Sequence, residues 1–113
     1  MTLYLISFND GTMSIPPEEM HEVARAAHAV IDEARDAGVY VFGGGLHDPS
    51  QTSVVAADGT ISDGPDPRSR DFIGGFTVVD VPNRAAALQW GAKIAASCRC
   101  AQEVREFLFD PLC

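Results

Sequence analysis

The segment PPEEMHEVARAAHAVIDEARDAG, running from Pro16 to Gly38, and the Val39-Tyr40-Val41-Phe42 that follows it decide how this chain folds. Met20, Val23, Ala24, Ala27, Val30, Ile31 and Ala34 recur at the i, i+3, i+4, i+7 spacing of a helix with one buried face. Pro16 and Pro17 suit a first helical turn because neither has an N–H to leave unpaired. Glu18 and Glu19 complement the positive end of the helix dipole, and Gly38 permits the left-handed turn that ends a helix. The spacing predicts a helix over residues 16–37. Directly after it, a β-branched and aromatic run predicts a short buried strand over 39–42, cut by Gly43-Gly44-Gly45.

Outward from this unit the punctuation repeats. Residues 2–8 alternate Leu3, Leu5 and Ser7 with Tyr4, Ile6 and Phe8 and end at Asn9-Asp10-Gly11, which predicts a first strand. Gln51 to Ser62 reads as a hairpin turning at Asp58-Gly59. A Gly-, Pro-, Asp- and Ser-rich loop occupies 63–71. Phe72 to Val81 is a strand, with Phe76, Val78 and Asp80 opposite Thr77, Val79 and Val81. Asn83 can cap a helix over 83–97 that buries Leu88, Ala92 and Ala95, with Trp90 and Ile94 nearby. A last strand is expected over 103–109. The order β-α-β, hairpin, β-α-β suggests an α+β fold of the ferredoxin-like split βαβ sandwich type with a hairpin insert, as a single domain over 1–113. Helices on one face leave the other face of the sheet bare, carrying Leu3, Leu5, Val41 or Phe107 according to register. Such a face is commonly buried against a second copy, so a homodimer is expected.

Composition sets limits on function. Sixteen acidic against eight basic residues give a formal net charge of −8, and 46% of residues are hydrophobic. That is globular chemistry, and net repulsion argues against a nucleic-acid or anionic-membrane partner. No apolar run approaches the roughly 20 residues of a membrane-spanning helix. The N-terminus lacks the basic region of a signal peptide. Cys98, Cys100 and Cys113 are odd in number and crowded at one end, a poor disulfide framework, so a cytoplasmic location is expected. Cys98-Arg99-Cys100 has closer spacing than zinc pairs and no second ligand pair, so neither a metal nor another cofactor is expected.

Asp63-Gly64-Pro65, with Gly74-Gly75-Phe76 nine residues after Pro65, is the most distinctive pattern. Gly45-Leu46 stands before it and Ala87-Leu88-Gln89-Trp90 after it. This ordered set resembles the DGPF-domain branch of the YCII-related (YciI-like) family of small bacterial proteins. The resemblance covers nearly the whole chain and implies a dimeric α/β barrel of ferredoxin-like type. One dehydrochlorinase of aromatic breakdown belongs to that group. Some relatives have a His–Asp pair in a cleft, and the position matching their first-helix histidine is His28. The chain departs from the pattern at several places, among them Pro67-Arg68-Ser69-Arg70-Asp71 in place of the usual run after the turn and Ser97-Cys98-Arg99-Cys100 in place of a short loop. Asp66 stands where the turn motif has Phe, and the only aspartate after Trp90 is Asp110.

The residues themselves offer several sites. On a helix, His28 falls at the border of the apolar face, along an edge shared with His21, Arg25, Asp32 and Arg35. There it can act as a general base, with Asp32 four residues on as its carboxylate, or sit as a boundary histidine capped by that carboxylate. His47-Asp48 can supply a base and its orienter after the glycines, and Gly44 and Gly45 can bring backbone close to a ligand. Neither a dinucleotide fingerprint nor a phosphate-binding loop is present. Arg68 and Arg70, beside Asp63, can hold an anion or be tied up inside their own loop, and Asp63 can bond its own turn. The expected function is a lyase- or isomerase-like enzyme acting on a small anionic or aromatic molecule through a His general base. The alternative is a non-catalytic dimeric ligand-binding or regulatory module.

Overall fold

The computed structural model describes residues Met1–Cys113. Strand β1 (Thr2–Asn9) leads through a short 3-10 turn at Pro17–Glu19 into helix α1 (Met20–Asp36), and strand β2 (Tyr40–Gly45) follows. Strands β3 (Ser53–Val55) and β4 (Ile61–Asp63) form a separate hairpin. Strand β5 (Ile73–Val81), helix α2 (Arg84–Cys98) and strand β6 (Glu103–Glu106) complete the chain. The main sheet has the order β2-β5-β1-β6, and all neighbours are antiparallel. Each helix therefore joins two strands that run the same way with a third strand lodged between them. The result is an α+β fold with two helices and an open antiparallel sheet.

Alternation puts Tyr4 and Ile6 of β1 on the same face as Val79 and Val81 of β5. Both helices lie there, because Ala87 and Ile94 of α2 join these four residues in the core. Val30 of α1 packs against that cluster with Val39, Trp90 and Val104. The Tyr4 hydroxyl donates to Glu106 Oε1 at 3.0 Å, tying β1 to β6. The opposite face carries Leu3, Leu5, Phe42 and Val78, brought together by the pairings Leu5↔Val78 and Phe42↔Val78. Phe42 meets Phe76 with ring centroids 5.8 Å apart. No element of the chain covers this side, and Phe42 is 61% exposed.

Several expectations change. The residues at 16–19 do not belong to the α-helix: the two prolines open a 3-10 turn, and α1 starts at Met20. The three glycines do not cut β2. They extend it, with Gly43, Gly44 and Gly45 opposite Thr77, Phe76 and Gly75 after a register shift between Tyr40 and Phe42. Gly43 allows the approach, since a β-carbon there would stand 2.7 Å from the Phe76 carbonyl oxygen. Helix α2 starts where Asn83 caps it, its side chain accepting from the Ala86 N–H at 2.9 Å. It buries Ala87, Gly91 and Ile94 rather than Leu88 and Ala92, both of which face out. The reason is Gly91, whose missing side chain lets α2 settle against Val104 of β6. Strand β6 ends at Glu106, and beyond it Leu108, Phe109 and Leu112 are 94%, 88% and 94% exposed. The hairpin turns at Asp58-Gly59 as expected, with Gly59 at φ +90° and the Asp58 carboxylate accepting from the Thr60 N–H.

Candidate functional site

A cavity of about 640 Å³ lies on the helix side of the sheet between α1, the β2 edge and the end of α2. One wall is a stripe of α1. His28, Asp32 and Arg35, at i, i+4 and i+7, present one row of side chains toward it. Its floor is bare backbone: Gly43, Gly44 and Gly45 of β2 beside Thr77 of β5. Tyr40 and Phe8 close two sides, and Ile31, Ile94 and Cys98 make the back apolar. A volume of this size and a mixed lining suit a small molecule.

The glycines shape this space. The Phe8 ring lies across Gly74 and Gly75, where added β-carbons would come within 2.8 Å and 2.7 Å of it. At Gly45 a β-carbon would meet nothing nearer than the Gly74 carbonyl oxygen at 4.0 Å, and its φ is not positive. Neither strain nor crowding requires glycine there. The room its missing side chain leaves belongs to the cleft.

The polar groups pair in an order the sequence did not foretell. Asp32 Oδ1 accepts from the Arg35 guanidinium at 3.3 Å, and the His28 ring has no ion-pair partner. The Arg35 guanidinium carbon also sits 4.9 Å from the centre of the Tyr40 ring. Asp32 thus shares the cleft with His28 but is engaged by an arginine. The other expected site residues are elsewhere. His47 and Asp48 line a second, smaller cavity of about 490 Å³ with Asp71 and Phe72. There Asp48 accepts from the Ser50 N–H at 2.9 Å, and the Ser50 hydroxyl first, then this backbone N–H, hold its carboxyl below the usual range. Asp63, Arg68 and Arg70 line neither cavity. Arg68 is tied inside its loop, because both carboxylate oxygens of Asp66 accept from its guanidinium, at 3.1 Å and 2.8 Å. Those bonds, with one from the Arg68 N–H, bring the Asp66 carboxyl down to about 2. The turn bond expected of Asp63 is therefore made by Asp66.

Tyr40 was the cleft residue hardest to see in the sequence. Arg35 extends the His28–Asp32 stripe by one turn, but Tyr40 joins it only because β2 swings back under the end of α1. Cys98 also lines the cleft, whereas Cys100 is held by Gln102, whose Nε2 stands 3.4 Å from its sulfur. Burial, and then the neighbouring Cys98, push the Cys100 thiol up, which keeps it protonated. No three His, Cys, Asp or Glu side chains are grouped to hold a metal ion, and no helix is long and apolar enough to cross a membrane.

A small α+β chain with a glycine-floored cleft beside a helix-borne histidine is the class that fold and site define. The family model of the YCII-related domain matches residues 2–107, and the chain belongs to that family. A comparison with curated proteins finds no match.

Proposed function

We propose that this YCII-related protein is a lyase- or isomerase-like enzyme acting on a small molecule, with His28 as the base that takes a proton from bound substrate. The observation that carries the reading is the placement of His28 in the wall of a 640 Å³ cleft floored by glycine backbone. Substrate entering from the β2 edge would lie along Gly44 and Gly45, with the imidazole above it and the apolar back wall limiting water. Asp32, one helical turn away, would balance the charge of the imidazolium once Arg35 turns to substrate. The reaction needs no cofactor in this reading.

The functional unit we have in view is a cytoplasmic homodimer of the DGPF-type, ferredoxin-like dimeric α/β-barrel kind, formed through the uncovered sheet face. The −8 charge and the shortage of free cations point away from nucleic acid and anionic membranes as partners. His47, Asp48, Asp63, Arg68 and Arg70 take no part, because none of them reaches the cleft.

A second reading draws on one observation: Asp32 is engaged by Arg35, so no carboxylate orients the His28 ring. A ring without an orienter suits a non-catalytic ligand-binding or regulatory module. Proton exchange separates the two. The protein is incubated in D2O with a panel of small enolisable carbonyl and lactone compounds, and deuterium uptake at the acidic carbon is followed by NMR. The enzyme reading expects uptake with at least one compound, reduced about 100-fold or more by His28→Gln. Uptake with none, or equal uptake by the variant, leaves the binding module standing.

A further inference from the structure

We infer that the cleft takes a small planar carboxylate and that Arg35 is its anchor. The inference rests on the cleft being the ligand site. Arg35 is the only lysine or arginine among the residues lining it. Its guanidinium carbon stands 4.9 Å from the centre of the Tyr40 ring, a contact that uses none of its N–H donors. Asp32 takes only one of those donors, through a single contact at 3.3 Å. Both side chains of that pair are more than half exposed, and such pairs are weak and easily exchanged. A ligand carboxylate that meets the fork with two oxygens would replace a one-point contact with a two-point one.

The rest of the cleft specifies the body of the ligand. Beyond Arg35 the apolar part of the wall is Phe8, Ile31 and Ile94, and the floor is glycine backbone beside Thr77, with His28, Ser97 and Gln102 among the remaining polar groups. A flat conjugated or aromatic body fits between the apolar wall and the glycine floor. Gly45 is the specificity position. Its glycine is required neither by φ nor by crowding, so the open space there is available to ligand. Arg68 of the 63–71 loop is already engaged, because Asp66 occupies its fork with both oxygens.

The test uses benzoate and its neutral isostere benzamide, with binding read by calorimetry and by NMR shifts on the intact protein. Benzoate is expected to bind about ten-fold or more tightly than benzamide. Arg35→Gln should erase that preference while benzamide still binds, and Arg35→Lys, which keeps the charge but not the fork, should restore part of it. Arg35 is an exposed residue on the surface of α1, so the variants are expected to keep the wild-type melting temperature. Gly45→Val should abolish binding of both probes. Equal binding of the two probes, retention of the preference in Arg35→Gln, or no binding of benzoate overturns the inference. If both probes bind equally and Gly45→Val abolishes that binding, Arg35 alone is refuted and the cleft remains the ligand site. If benzoate is preferred but Gly45→Val has no effect, the site lies elsewhere and the cleft reading falls with the inference.

Discussion

A single β-carbon at Gly75 would sit 2.7 Å and 2.8 Å from atoms of the Phe8 ring and 3.2 Å from the Gly44 carbonyl oxygen. The ring can swing aside but the carbonyl cannot, since it belongs to the paired β2 strand. Gly75→Ala is therefore expected to cost about 1–3 kcal/mol in chemical denaturation, the usual range for overpacking. Phe8 would be driven into the cleft at the same time. Gly45→Ala, with open space around the new carbon, should leave the denaturation midpoint nearly unchanged. If the two alanine variants are equally stable, the account of the glycine floor is wrong. The same contrast explains why a run of three glycines is ambiguous in a sequence. Gly43 is there because backbone approaches it closely, whereas Gly45 is there with room to spare.

The helices show where local rules end. Asn83 caps α2 as its residue type and position suggest, and Asn83→Ala should lower stability by about 1 kcal/mol. At Gly91 the usual expectation reverses. Alanine in a helix interior is normally preferred to glycine by about 1 kcal/mol. Here the new β-carbon would stand 2.9 Å from Val104 Cγ2, on a β-branched side chain with little freedom to move. Gly91→Ala is thus expected to destabilise, and a higher melting temperature would refute the close packing of α2 on β6. The 63–71 loop yields to a pH measurement. Asp66 titrates at about 2 in the folded chain against an ordinary value of 3.8. Its folded value is depressed, so the stabilisation is present above the ordinary value and lost as pH falls from about 4 toward 2. A carboxyl NMR titration should show this low midpoint, and Arg68→Gln should raise it part of the way, because the Arg68 backbone N–H still donates to Asp66.

The molecule measures 44 × 43 × 19 Å, with a radius of gyration of 15.8 Å. A compact chain of this length would have a radius of about 13 Å. It is a two-layer slab, one sheet thick and one helix deep, with a hairpin and an apolar tail reaching outward. Leu3, Leu5, Phe42 and Val78 lie on the side with no layer over it. Sedimentation is expected to give a dimer, and Leu5→Glu, which places a charge opposite Val78, should shift it to monomer at micromolar concentration. A wild-type monomer would show that this face is not the interface.

The helices, the first strand, the hairpin turn and the α+β class were all legible from residue order. Periodicity, caps and turn residues act over four to ten positions and do not depend on distant neighbours. The buried face of α2 was not legible. Apolar or small residues lie around most of that helix, and the core contacts of Ala87 and Ile94 with the close approach of Gly91 to Val104 select the face that packs. Nor was the cleft. His28 and Asp32 could be placed on one stripe by counting, but the partner of Asp32 and the Tyr40 platform depend on how β2 returns beneath α1. Its floor depends on a one-residue register shift between β2 and β5, two strands nearly thirty positions apart. A shift of one residue turns every side chain in a strand to the other face. Local spacing thus fixes which groups are carried on each element, while long-range pairing fixes which of them meet.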